Sequence, residues 1–162
     1  MRVLGIDPGT LHLGFGIIEI KAGGKPGYVT CGVVDMPGKL NIGARLRLLQ
    51  RDLEILFDKY APDIMGLENI FVGVNARAAI RIGEARAVAL LTAAHYDTTV
   101  LELPPATVKQ LVTGQGRAGK LQVQKMITLL LQLNQPPRSP DAADALAVAI
   151  AAGYRALAGK AG

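Results

Sequence analysis

Apolar positions in the first forty residues come in short runs broken by turn residues. Arg2–Ile6 is closed by Asp7-Pro8-Gly9, Gly14–Ile20 resumes the run, and Tyr28–Asp35 follows Gly23-Gly24 and Pro26-Gly27. Short apolar runs between Pro/Gly turns predict strands, and connections this short predict an antiparallel meander. The period then changes. Between Leu40 and Tyr60, Leu46, Leu49, Leu53, Leu56 and Phe57 recur at helical spacing, with Arg47, Arg51 and Glu54 on the other face, and Pro62 ends the helix. Asp63–Glu68 predicts a short buried strand, Asn75–His95 a helix and Thr99–Leu103 a strand. Pro104-Pro105 opens a short helix to about Thr113, Gly114–Gly119 is a flexible loop, and Lys120–Leu133 is helical. Asn134–Pro140 is a Pro-rich connection with a cap expected at Ser139, before a last helix over Asp141–Leu157. The order βββαβαβααα predicts an α/β fold with a mixed five-stranded sheet and helices on both faces. No repeat or linker divides the chain. Residues 1–157 are expected to form one domain and Ala158–Gly162 a frayed tail.

Composition narrows this picture. A chain of 162 residues suffices for one core. With no Trp, three Phe and four Tyr, that core must be aliphatic and rich in Ala and Gly. Lysines and arginines outnumber acids 18 to 13, giving a net charge of +5 and a pI near 9.6. The excess is segregated. Leu103 to Pro140 holds no acid but carries Lys109, Arg117, Lys120, Lys125 and Arg138, and Met36 to Arg51 is acid-free with Lys39, Arg45, Arg47 and Arg51. Segregated positive charge points to a phosphate-bearing partner rather than to general solubility. Cys31 is the only cysteine, so neither an internal disulfide nor a cysteine-based zinc site is possible. In its strand it reads as a buried structural thiol. The residues before the first turn are too few for a signal peptide, and no apolar run reads as long enough to span a bilayer. The expectation is a cytoplasmic protein with no membrane partner.

Against this basic background, four carboxylates stand out. Asp7 ends the first strand and Glu68 the fourth, and Asp141 and Asp144 lie three apart at the start of the last helix, on one face. If strands one and four are neighbours, Asp7 and Glu68 emerge side by side, and a helix packed near their ends completes an oxygen-only cluster. Such a set suits Mg²⁺ or Mn²⁺. Two such ions, about 3.5–4 Å apart, can activate water and stabilise the leaving oxygen of a phosphodiester. Singly, each acid has an ordinary use: Asp7 as a turn residue, Glu68 as a surface residue after a strand, and Asp141 and Asp144 as complements to a helix dipole. Their combination with this element order favours the site.

The ordered motifs carry a resemblance. Leu4-Gly5-Ile6-Asp7-Pro8-Gly9-Thr10 with Gly14-Phe15-Gly16 is similar to the opening of the RuvC family of crossover (Holliday) junction endodeoxyribonucleases, in the ribonuclease H-like superfamily. Glu68-Asn69-Ile70-Phe71 with Asn75-Ala76 and Gly83-Glu84-Ala85-Arg86 resembles its second signature. Val108-Lys109-Gln110 with Gly114, Gly116, Lys120 and Gln122-Val123-Gln124 resembles its basic stretch, and Asp141-Ala142-Ala143-Asp144-Ala145-Leu146-Ala147 its closing signature. The likeness runs from about Met1 to about Tyr154.

This resemblance implies a ribonuclease H-like fold and a homodimer that binds four-way junction DNA, each site nicking one of two strands. It also implies a RuvA–RuvB branch-migration partner. Asp7, Glu68, Asp141 and Asp144 become the catalytic acids, holding two Mg²⁺ or Mn²⁺ ions per site. Lys109 and Lys120 match DNA contacts near the scissile phosphate, and Phe71 matches an aromatic stacked on a base of the opened branch point. Base–aromatic stacking is worth about 1–3 kcal/mol. Phe71 as a partly buried core residue, and Lys109 and Lys120 as plain surface lysines, are the alternatives. Arg77 and Arg81 face either DNA or solvent, and Arg117 and Lys125 join the DNA-binding candidates through the basic stretch. The small residues of Asn75–His95 serve packing on the sheet, pairing with a second copy, or both. His12 touches substrate or fills a turn, and His95 complements the dipole at its helix end.

Other functions fit less well. Actin-like ATPases and sugar kinases share Asp-x-Gly-Thr after a first strand, but they need a second domain, and no Walker-type loop is present. A junction-binding module without catalysis would not need all four acids, and the RuvC signatures argue against a ribonuclease of the same fold.

Overall fold

The computed structural model describes residues 1–9, 11–69 and 76–160. Its elements are β1 (Arg2–Pro8), β2 (His12–Ile20), β3 (Pro26–Asp35), α1 (Ile42–Tyr60), β4 (Ile64–Glu68), α2 (Ala76–His95), β5 (Thr99–Leu103), α3 (Pro105–Thr113), α4 (Lys120–Leu130) and α5 (Pro140–Lys160). The predicted order is the observed one. The strands form one sheet in the order β3-β2-β1-β4-β5. The β1–β2 and β2–β3 pairs are antiparallel, and β1–β4 and β4–β5 are parallel.

Local chemistry sets the boundaries. Asn41 caps α1, its side chain accepting from the Ala44 N–H at 2.9 Å. Ala61, at a left-handed φ of 42°, and Pro62 end it. Pro105 at the first turn suits α3 because its missing N–H would have had no partner there. The Gly119 N–H that precedes α4 donates to Gln122 Oε1 at 2.8 Å. Two ends differ from expectation: α4 stops at Leu130 rather than Leu133, with Gln132 turning to a positive φ of 53°, and α5 continues to Lys160.

Period-two alternation divides the sheet's side chains between two cores. Leu4, Ile6, Leu13, Ile17, Met65 and Leu67 pack with Leu49, Leu53 and Phe57 of α1 and Ala85, Ala89 and Ala93 of α2. Val3, Ile18, Ile20 and Ile64 pack on the other side with α3, α4 and α5. Helices therefore cover both faces, as parallel strands require.

The last helix is apolar nearly all round. By length and composition, Pro140–Gly159 is long and apolar enough to cross a membrane, contrary to the reading of the sequence. In the fold, every residue from Asp141 to Ala152 is buried except Asp141 and Asp144, so the apolar surface is consumed by the sheet and by α3 and α4. The approach is close because glycines line its path. A Cβ on Gly5 would lie 2.1 Å from the Ala145 carbonyl oxygen, one on Gly16 2.7 Å from the Leu146 nitrogen, and one on Gly66 2.7 Å from the Ala152 Cβ.

Candidate active site

The alternation that builds the core also aims the acids. Val3, Gly5 and Asp7 alternate onto the α5 face of β1, and Ile64, Gly66 and Glu68 onto the α5 face of β4. Gly5 is level with Gly66 and Ile6 with Leu67, so Asp7 and Glu68 leave adjacent strand ends on the same face. The N-terminal turns of α5 lie across this corner. A Cβ on Gly14 would meet the Asp141 carbonyl oxygen at 2.1 Å, which fixes Asp141 over β2 and sets Asp144 one turn further along. Ser139 precedes the helix as expected, its Oγ accepting from the Ala142 N–H at 3.5 Å.

Electrostatics confirms that the four acids share one neighbourhood. Burial first, then the carboxylates of Glu68, Asp144 and Asp141, push the Asp7 carboxyl from 3.8 up to about 7, against the pull of Lys120. Glu68 is also raised, by burial and then by Asp144. A hydrogen bond with Asp7 and the charges of Lys109 and Lys120 oppose that rise. A carboxylate pair that shares a proton marks more negative charge than the site can hold unaided.

Lysines answer part of that charge. Lys120 Nζ lies 2.7 Å from Asp144 Oδ2, and the ion pair holds the Lys120 ammonium above its ordinary range, with burial opposing. Glu68, Lys109, Lys120 and Asp144 line a cleft of about 230 Å³, walled by Pro105, Val108, Val123 and Ala147. A larger cleft of about 460 Å³, between β3 and the Asn134–Ser139 connection, contains none of the four acids.

The structure thus brings Asp7, Glu68, Asp141, Asp144, Lys109 and Lys120 together. The other candidates lie elsewhere. Phe71 is outside the described residues. Arg77 is exposed in the first turn of α2, and Arg81 is paired with Glu84 at 3.0 Å. Arg117 is exposed, and Lys125 lines a separate groove of about 240 Å³ with Thr113, Met126 and Leu129. His12 Nδ1 pairs with Asp35 Oδ1 at 2.7 Å across β2 and β3, and the His95 ring meets Tyr96 edge-on. Cys31 is half-buried rather than buried, with its Sγ 3.6 Å from the Tyr28 hydroxyl. The edge position of β3 leaves its thiol partly open.

Among the described residues, no three His, Cys, Asp or Glu side chains are already arranged to hold one ion. Lys120 occupies Asp144, and Asp7 is hydrogen-bonded to Glu68. The donor set still fits a hard divalent cation. Its ligands are oxygens only, and a cation would replace the proton shared by Asp7 and Glu68.

Sequence reasoning did not identify the glycine platform. Its signal was present: Gly5 and Gly66 sit two residues before Asp7 and Glu68, at the positions that alternation sends to α5.

Comparison with known proteins identifies a family and a fold. The family model described as "Crossover junction endodeoxyribonuclease RuvC" matches residues 3–152. A RuvC of Thermosipho melanesiensis is 43% identical over 149 residues, covering 92% of this chain and 94% of the relative. One of Syntrophomonas wolfei is 45% identical over 150 residues, covering 93% and 87%. The structure of Thermus thermophilus RuvC in complex with a Holliday junction substrate superposes with a TM-score of 0.93 at 30% identity, covering 98% of this chain and 96% of that one.

Proposed function

The chain belongs to the RuvC family of crossover junction endodeoxyribonucleases, and from that membership we propose that it resolves four-way DNA junctions by paired, metal-dependent nicking. The fold is ribonuclease H-like, and residues 1–157 act as one nuclease domain. The observation that carries the reading is the convergence of Asp7, Glu68, Asp141 and Asp144 beside Lys109 and Lys120, with Asp7 raised to about 7 by burial and then by its acidic neighbours.

Asp7, Glu68, Asp141 and Asp144 are the residues that would hold Mg²⁺ or Mn²⁺, two ions per site. Such ions supply Lewis acidity and an activated water for phosphodiester hydrolysis. The chain's own residues do the rest. Lys109 and Lys120 draw a phosphate into a cleft that its acids would otherwise repel. The half-buried setting of Asp7 and Glu68 strengthens each charge contact there. The products carry 5′-phosphate and 3′-hydroxyl ends.

Phe71 stacks on a base at the opened branch point, and Arg77, Arg81, Arg117 and Lys125 contact phosphates away from the cut. Two copies pair through α2, whose outer face carries Ile80 and Leu91, 63% and 72% exposed, at helical spacing with the exposed Ala87 and Ala94. A basic nuclease of branched DNA with a free thiol works in the cytoplasm, beside a RuvA–RuvB branch-migration complex.

Cleavage of a mobile four-way junction, compared with linear duplex of the same sequence in Mg²⁺ and in Mn²⁺, tests this reading. Symmetric nicks on the junction alone support it. Tight junction binding without cleavage in either metal would make the protein an architectural module, and equal cutting of duplex would make it a different nuclease.

A further inference from the structure

Glu68 stands where β4 leaves the sheet. Its last ladder contact is the Asn69 N–H donating to the Leu103 carbonyl of β5 at 2.9 Å, and its pairing with β1 ends one step earlier, at Ile6–Leu67. A strand end is the least restrained part of a sheet. This one carries a carboxylate set against Asp144, whose like charge favours its moving away.

One side chain holds it from the other face. Arg86 of α2, 12% exposed, donates from Nη1 to the Glu68 main-chain carbonyl and from Nη2 to the Glu102 carboxylate of β5. A guanidinium this buried is costly unless its N–H groups find acceptors, and its planar fork suits two acceptors held at a fixed separation. The cations acting on the Glu68 carboxylate itself are Lys109 and Lys120. Arg86 therefore grips the backbone and leaves the carboxylate free for a cation.

We propose that Arg86, braced by Glu102, is a positioning residue for cleavage: it fixes the Glu68 backbone so that the carboxylate meets Asp7 and Asp144. This inference rests on the nuclease reading above and deepens it. Because the clamp starts from α2, it also ties the acid to the helix whose outer face pairs with a second copy.

The test compares wild type with Arg86→Gln, Arg86→Lys and Glu102→Ala. Three quantities are measured: single-turnover junction cleavage at saturating protein, junction binding without divalent ions, and amide hydrogen exchange at Glu68 and Asn69 in metal-free protein. Loss of a residue that orients a metal ligand typically costs ~10–100-fold in activity or metal affinity. Arg86→Gln is expected to lose cleavage on that scale, to need more Mg²⁺ for half-activation, and to exchange Asn69 faster, with junction binding unchanged. Arg86→Lys should recover part of the rate, because an ammonium can hold the Glu68 carbonyl without spanning both acceptors.

Wild-type cleavage and wild-type exchange in Arg86→Gln overturn the proposal. So does a loss of cleavage matched by an equal loss of junction binding, which makes Arg86 merely structural. Should Arg86→Gln not fold, Glu102→Ala decides, since Glu102 is about half exposed. A smaller loss in the same direction supports the clamp, and wild-type values in cleavage and exchange overturn it. If the wild-type protein cuts nothing, the nuclease reading fails by itself. Exchange at Asn69 then judges the clamp: faster exchange in Arg86→Gln supports it, and unchanged exchange overturns it.

Discussion

Asp7 carries the sharpest residue-level consequences. Its carboxyl is raised from 3.8 to about 7 in the folded chain, so the fold binds that proton more tightly than the unfolded chain does. Metal-free protein therefore loses stability as pH rises from about 4 to about 7, and the loss is complete above that. Each unit of such a shift corresponds to ~1.4 kcal/mol. Thermal melts in chelator should show this fall for wild type and a much smaller one for Asp7→Asn, which should melt higher than wild type at pH 8. An unchanged melting profile in Asp7→Asn would mean that the acids do not strain the fold. Lys120 acts in the opposite sense, lowering Asp7 and Glu68. Lys120→Gln should move the acidic limb of the pH–rate profile to higher pH, because the carboxylates then hold their protons longer. A limb that stays in place would remove Lys120 from the electrostatics of the site. The four acids were legible in the sequence because strand ends and an i, i+3 pair can be read from spacing. The hydrogen bonds of Arg86 and the Lys120–Asp144 pair were not, since they join residues 16, 18 and 24 positions apart through packing.

Among the elements, α5 decides whether those residues meet. A helix can sit on β1, β2 and β4 at backbone contact only where those strands carry no Cβ. Gly5→Ala places a methyl 2.1 Å from a main-chain oxygen of α5, and Gly66→Ala places one 2.7 Å from the Ala152 Cβ. Overpacking of this kind costs ~1–3 kcal/mol and occasionally more, and here it also lifts Asp141 and Asp144 off Asp7. Gly5→Ala should therefore lose cleavage at temperatures where the variant is still folded by circular dichroism. Full activity in a folded Gly5→Ala would show that α5 need not lie so close. The element order, the meander and nearly all helix positions followed from hydrophobic period. Element ends followed less well: a frayed tail was expected from Ala158, but α5 runs to Lys160, although Ala158 and Gly159 are exposed. That α5 would pass for a membrane span by length and composition also escaped the sequence reading, which found no apolar run of that length.

For the whole molecule, the charge pattern bears on the proposed DNA contact and the open face of α2 on the proposed pairing of two copies. The acid-free span that begins at Leu103 supplies Lys109 and Lys120 to one side of the cleft. The exposed Ile80 and Leu91 lie on a helix whose other face is buried against the sheet. Exposed apolar side chains aligned along a helix are costly in water unless another surface covers them. Leu91→Glu should give a folded monomer by sedimentation, with paired nicking reduced to single nicks or lost. A dimer that persists in Leu91→Glu would place the interface elsewhere.

The proposed function stands or falls on Asp7, Glu68, Asp141 and Asp144 acting as one cation-dependent site that cuts junctions. The most direct test measures cleavage and binding of a mobile four-way junction side by side, for wild type and Asp7→Asn, in Mg²⁺ and in chelator. Symmetric nicks are expected from wild type in Mg²⁺ only, and junction binding without nicks from Asp7→Asn. Nicks by Asp7→Asn at the wild-type rate, or by wild type in chelator, would contradict it.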